Sequence, residues 1–227
     1  IINNDGADLV SGTFAGLAEG GTFNLGFETF KVTYTGGDGN DVVVTAGEAA
    51  SLIVTTNLDV VDAFDGKTSL REAVAYANSK ANVDANTPDV ITFDTSVFTG
   101  GANSLIRLTL GELSIWDSVV IDGQTGVGVT ITGDANGDDI KIAGTNITDV
   151  AASGAALADN SRLFALNGIN NTITLKGLTL TGGNAQGFEA GGVIRDFGIN
   201  KVVIEDSQIS GNSAGGPGGA LFLQYLT

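Results

Sequence analysis

The chain has 227 residues, enough for one domain or for a domain with a small extra module at ~100–200 residues each. Its 34 glycines are roughly twice the usual ~7%, charged residues make up only 16%, and a hydrophobic share of 42% excludes a disordered chain. Ten Lys and Arg against 26 Asp and Glu give a net charge of −16, which repels nucleic-acid phosphates and anionic lipid, and zero His and zero Cys remove imidazole chemistry, thiolate chemistry and disulfides.

Any metal would therefore be a hard, oxygen-bound cation such as calcium. Two prolines and the lack of a Gly-X-Y period exclude a Pro-rich linker and collagen. No apolar run of 18 residues occurs, so no membrane insertion is expected in this segment. The first residue is Ile1 rather than Met, and a fragment or processed product is expected.

From Thr13 to Thr45, apolar residues alternate in three groups separated by glycine turns: Phe23 and Leu25, then Phe30, Val32 and Tyr34, then Val42 and Val44. Residues 1–47 thus read as a small β-module of about three strands. Residues 48–88 start with a short strand at Leu52–Thr55 and lead to a helix over 69–79. There Ser69 and Glu72 form a capping box, and Leu70, Val74 and Ala77 share one face.

Residues 89–227 are a succession of short strands with Gly, Asn and Asp turns, among them Val90–Phe93, Leu105–Leu110, Leu113–Ile115, Val119–Ile121, Ile140–Ile142, Ile173–Leu175 and Val202–Ile204. Such a pattern suits a sandwich, a barrel or a solenoid, and internal repetition separates them. The stretch 175–185 lies over 204–214 at an offset of 29, and 119–123 lies over 178–182 at 59, about two periods. The expected fold is all-β: a parallel β-helix of about five turns, truncated at its C-terminus, with 48–88 as its capping segment.

The run Thr68-Ser69-Leu70-Arg71-Glu72-Ala73, with Asp89-Val90-Ile91-Thr92-Phe93-Asp94 after it, resembles the CSLREA segment that opens many bacterial surface β-helix proteins, with Thr68 in place of the cysteine. Asn212-Ser213-Ala214 with Gly218-Gly219-Ala220 resembles the repeat of polymorphic outer-membrane proteins and autotransporter-like passengers. The first 47 residues resemble repeats of long bacterial adhesins, carried by Ile2 to Gly6, Gly12-Thr13-Phe14 and Tyr34 to Thr45. These resemblances imply a right-handed parallel β-helix on the outer cell surface and a longer parent chain, and they name no ligand.

Two turns carry oxygen ligands in suggestive order. Gly36 to Val44 fits the calcium nonapeptide G-G-x-G-x-D-x-U-x at every fixed position, with Asp38, Asn40 and Asp41 as oxygen donors and Val43 as the inward apolar residue. Only one copy is present, whereas such sites are built between copies, so a plain β-turn is the competing reading. Asp134, Asn136 and Asp138 alternate like the start of an EF-hand loop, but position twelve is Thr145 and Gly137 falls at position four.

Catalysis is not expected. A glycosidase needs paired carboxylates, and although Asp117 or Asp122 could approach Glu205 or Asp206 between turns, no enzyme signature accompanies them. Arg71 is expected to anchor the cap to the first turn or to sit in solvent, Arg195 to be a surface residue between turns, and Trp116 to pack rather than to stack on a sugar. The segments Asn146 to Asn160 and Gly183 to Gly191 are the loops where a partner would be sought. The functional expectation is a non-enzymatic structural or adhesive segment of a secreted or cell-surface protein, self-associating or stacking on neighbouring segments of its own chain, with surface glycans as a further partner. The alternatives are a carbohydrate-active β-helix (polysaccharide lyase or glycosidase) and a calcium-dependent assembly module.

Overall fold

The computed structural model describes residues 2–26, 28–82, 87–137 and 160–224. They fall into two compact units, Ile1–Ala50 with Asp62–Lys67, and Ser51–Val61 with Thr68–Thr227. The fold is mostly strand with one α-helix, and no helix among the described residues is long and apolar enough to cross a membrane.

The first unit is an antiparallel meander of β1 (Thr22–Leu25), β2 (Glu28–Gly36) and β3 (Asp41–Ala46). Val32, Tyr34 and Val42 form its core, and Val10 and Leu17 pack against them. The Tyr34 hydroxyl is anchored by accepting from Phe14 N at 2.8 Å and donating to Leu17 O at 2.9 Å. Val42 rather than Val43 enters this core, because β3 begins at Asp41 and alternation from there turns Val43 away.

The second unit opens with β4 (Ile53–Val54) and α1 (Leu70–Ser79), followed by β5 (Asp89–Phe93), β6 (Leu105–Arg107), β7 (Leu113–Ile115), β8 (Val119–Asp122) and β9 (Thr130–Thr132). Next come β10 (Phe164–Leu166), β11 (Thr172–Lys176), β12 (Thr179–Thr181), β13 (Asn184–Ala185) and β14 (Ile194–Asp196). The last are β15 (Lys201–Glu205), β16 (Gln208–Ile209), β17 (Ser213–Ala214) and β18 (Leu221–Leu223).

Three parallel sheets result, in the orders β4-β5-β8-β11-β15, β6-β9-β12-β16 and β7-β10-β14-β18, with a β13-β17 pair beside them. The chain visits the three sheets in a fixed rotation, so each strand pairs with its counterpart one circuit earlier. The described residues trace four circuits, where about five were expected. Leu175 pairs with Ile204, as the 29-residue repeat requires. Val119 pairs with Ile173, 54 residues on, and not with Leu178. The expected offset of 59 fails because 119–123 and 173–177 share one turn position, and the chain between β9 and β10 lengthens that circuit.

Register turns the strand alternation into stacks of like residues. Ile91, Ile121 and Leu175 align, as do Ile106, Ile131 and Leu180, and all six are buried. Each such side chain contributes about 1.5–3 kcal/mol through burial. Corners repeat as strictly as strands do. Gly182 and Gly211 occupy one corner with φ of 60° and 63°, and Gly177 shares its left-handed corner with Asp206.

Side chains of one circuit satisfy backbone groups of the one before. Asn212 Oδ1 accepts from Gly183 N at 2.8 Å while its Nδ2 donates to Leu180 O at 2.9 Å, and Asn200 Oδ1 accepts from Asn171 N at 3.0 Å. At a corner the N–H groups leave the sheet plane and would otherwise be orphaned. The Asn and Gly punctuation seen in the sequence is thus a hydrogen-bonding device.

Helix α1 treats the outer edge of β7 in the same way. Its capping box forms as expected, Ser69 Oγ accepting from Glu72 N and Glu72 Oε2 from Ser69 N, and Leu70, Ala73, Val74 and Ala77 are buried. Asn78 acts like a peptide group, its Nδ2 donating to Ser114 O at 2.8 Å and its Oδ1 accepting from Trp116 N at 2.9 Å. Arg71 donates to Gly111 O and Glu112 O, Asp59 accepts from Leu110 N, and Asn82 donates to Ser118 O. An edge strand that would otherwise recruit another chain is thereby closed.

The expected strand at Ile140–Ile142 and the loop Asn146 to Asn160, apart from Asn160 itself, lie outside the described residues. Trp116 does not pack as expected: it is 58% exposed at the end of β7. The two-residue strands β13 and β17 had no sequence signal, being short and polar.

Candidate functional site

Charged residues stand at or beside the start of three strands of the sheet β7-β10-β14-β18. Glu112 stands before Leu113, and Arg162 stands two before Phe164; Leu113 and Phe164 are register partners. Arg195 lies within β14, paired with Ala165. Glu189 comes from the loop joining β13 to β14, so four charges from segments far apart in sequence converge.

Arg162 is at the centre, with its side chain only 6% exposed. Its Nε donates to Ala190 O at 3.1 Å and Gly191 O at 2.9 Å, its Nη2 to Glu189 Oε2 at 3.0 Å, and its Nη1 to Glu112 Oε2. Arg195 Nη1 donates to the same Glu189 oxygen at 2.9 Å, and its Nη2 lies 3.6 Å from Glu112 Oε1. Two guanidiniums and two carboxylates alternate in one network. The Arg162 guanidinium, then that of Arg195, hold the Glu189 carboxyl below its ordinary range.

This network forms one wall of a cavity of about 370 Å³, completed by Asn160, Ser161, Asn184, Ala185 and Gln186. Among the described residues, buried Ser161 Oγ has no hydrogen-bond partner. Ala185 is the sole apolar side chain in the lining. Arg195, expected as a bland surface residue between turns, is instead a strand residue bound into this wall. Asn160, Asn184, Gln186 and Glu189 do belong to the two loop segments singled out in the sequence.

The sequence-derived metal candidates lie elsewhere and do not assemble. In the β2–β3 turn, Asp41 Oδ1 accepts from Asn4 N at 2.8 Å, Asn40 Nδ2 donates to Gly6 O at 2.6 Å, and Asp38 is exposed. Asn40 Oδ1 is buried without a partner, yet the turn offers it one deep carboxylate where calcium takes six to eight oxygens. Asp134 is wholly buried and ion-paired to Arg107 at 3.0 Å, with its other oxygen accepting from Gly137 N at 2.7 Å. Arg107 therefore already supplies the positive charge there. Asn136 is exposed and Asp138 lies outside the described residues. Among the described residues no three carboxylates gather as a metal-binding group.

The carboxylates weighed for catalysis are also engaged. Lys176 is the register partner of both Asp122 and Glu205 and stands between them, its Nζ 3.6 Å from Asp122 Oδ2. Asp206 accepts from Gln124 Nε2 at 2.9 Å, and Asp117 Oδ1 accepts from Ser118 N at 2.7 Å. Arg71 does anchor α1, with Nε and Nη2 donating to the two Asp59 oxygens at 2.7 and 2.9 Å. Comparison with protein-family models, curated proteins and solved structures found no match.

Proposed function

We propose that the second unit is a right-handed parallel β-helix and that the chain is a non-enzymatic structural or adhesive segment of a large secreted or cell-surface bacterial protein. The observation that carries this reading is the register: successive circuits pair strand on strand, and corner Asn side chains satisfy the circuit before. Such an architecture grows by adding circuits and presents the same faces repeatedly, which suits an extended scaffold better than a single reaction centre.

Charge agrees with an exterior position, since a net −16 keeps a long surface chain soluble. Val202, Ile209 and Leu221 in the last described circuit pack against the core and are partly buried. The resemblance to surface β-helix repeats and adhesin modules points the same way. A lyase or glycosidase is less well supported, since Glu112, Glu189 and Asp122 are each ion-paired to an Arg or Lys while Asp206 and Asp117 accept from Gln124 and Ser118 N. Calcium-dependent assembly is less well supported, since the Asp41 turn offers one deep carboxylate and Asp134 is already ion-paired to Arg107.

Electron microscopy of the chain at high concentration, with and without a chelator, tests the proposal. Filaments, sheets or end-to-end pairs that survive chelation are expected. Dispersed particles that depolymerise a polysaccharide would overturn it, and assemblies dissolved by chelation would restore the calcium reading.

A further inference from the structure

We propose that the cavity walled by Arg162, Arg195, Glu112 and Glu189 binds an uncharged, hydroxyl-rich ligand, namely the end or a short stretch of a neutral glycan. Its volume of about 370 Å³ falls within the ~300–1,000 Å³ of small-molecule sites. The chemistry of the wall then selects among ligand classes.

Two guanidiniums and two carboxylates cancel, and each is already neutralised by its neighbours, so the cavity presents no net charge to a free ion. The net −16 of the whole chain further opposes an anion. Among the described lining residues Ala185 is the one apolar residue and none is aromatic, so the wall offers no aromatic face for stacking. What the wall does offer is alternating fixed acceptors and donors. The Glu112 and Glu189 side chains are 33% and 56% exposed, keeping lone pairs for a ligand, and the Arg195 side chain is 21% exposed. Planar carboxylate, amide and guanidinium groups side by side match vicinal hydroxyls, each of which both donates and accepts.

Ser161 supplies the second argument. Its buried hydroxyl has no partner among the described residues, a state that costs about 1–3 kcal/mol, and Ser161 is one of the residues that line the cavity. Rigidity completes the picture. Arg162 is locked by the Ala190 and Gly191 carbonyls, and Asn184 and Ala185 are strand residues, so the wall is ordered before any ligand arrives. The inference deepens the adhesive reading above, but it stands on the cavity alone and would hold for a scaffold that never self-associates.

The test is isothermal calorimetry of the full chain against neutral tetrasaccharides of glucose, mannose, galactose and N-acetylglucosamine, with trigalacturonate and inorganic phosphate as charged probes. Saturable binding of at least one neutral saccharide is expected, with the charged probes silent. Gln186→Ala, at an exposed position, and Ser161→Ala should each weaken that binding about three- to tenfold, the scale of one lost hydrogen bond. Ser161→Ala should leave the Tm of the ligand-free protein unchanged or raised, which a merely structural hydroxyl would not do. Absence of binding across the neutral panel overturns the proposal, as does binding of trigalacturonate or phosphate alone. So does neutral-saccharide affinity untouched by both substitutions. Loss of assembly with glycan binding intact would overturn only the self-association part of the function proposed above.

Discussion

Replacing Asp59 with asparagine removes the charge opposite Arg71 while keeping shape and volume. The Asp59 side chain is 1% exposed and that of Arg71 17%, and the carboxylate also accepts from Leu110 N at 2.8 Å. Breaking a buried pair from one side costs ~3–5 kcal/mol, because the remaining charge is stranded. The partial exposure of Arg71 and its retained bonds to the Gly111 and Glu112 carbonyls lower the expected loss to about 2–4 kcal/mol. At ~2–4 °C per kcal/mol for a unit of this size, the Tm falls roughly 4–16 °C.

Urea unfolding followed by circular dichroism and by emission of Trp116, the single tryptophan, measures the loss. Trp116 N is held by Asn78 on the same edge, so its emission should respond at lower urea than the bulk signal. A loss below about 1 kcal/mol, or coincident wild-type-like transitions by both probes, would refute the idea that Arg71 and Asp59 fasten α1 to the edge of β7.

Other substitutions separate the remaining parts of the account. Asn78→Ala loses both edge hydrogen bonds, about 1–3 kcal/mol, partly offset by ~0.5 kcal/mol of better helix propensity; an unchanged urea midpoint would contradict its edge role. Ile121→Ala, in the middle of a buried stack, should cost about 2–5 kcal/mol, and Ile204→Ala, in register with it but only partly buried, distinctly less. Glu189 has its folded pKa lowered by Arg162 and Arg195, so its contribution is fully present above its ordinary value of 4.5 and is lost as the pH falls through the lowered one. Glu189→Gln should accordingly lower the Tm near neutral pH and leave it unchanged in strong acid, and an equal deficit at both would be contradictory. Millimolar calcium should leave the Tm of the whole chain unmoved, whereas a rise following ligand linkage would mean that the Asp41 turn holds the ion after all.

Local signals in the sequence were read well where one segment contains the whole device. The capping box at Ser69 and Glu72 and the apolar face of Leu70, Val74 and Ala77 are contained in eleven residues, and the helix forms there. The 29-residue repeat between Leu175 and Ile204 was equally visible, since both copies keep the alternating apolar residues and the glycine at the Gly182 and Gly211 corner. The 119–123 match failed because an apolar-x-apolar-x-Gly run stands at two corners of a circuit, as at 119–123 and 129–133 and again at 173–177 and 178–182, and only pairing tells them apart. The cavity was the least legible feature. Glu112, Arg162 and Arg195 belong to three successive circuits, and the one available clue was that charged residues stand at or beside the start of the same strand in each. Asp59, too, was hidden as the partner of Arg71, because it lies in an irregular segment whose place depends on α1.

Cysteine pairing across the ladder tests the stacked register most directly, in a chain that has no cysteine of its own. Thr174 and Val203 are outward-facing neighbours on β11 and β15, whereas Ile204, one residue later, pairs with Leu175 and faces the core side. Adjacent strands lie ~4.8 Å apart, within disulfide reach, while side chains on opposite faces diverge. The account predicts that Thr174→Cys with Val203→Cys oxidises rapidly to an intramolecular disulfide and that Thr174→Cys with Ile204→Cys does not. Equal oxidation of the two pairs, or preference for the second, would contradict the 29-residue circuit on which the account rests.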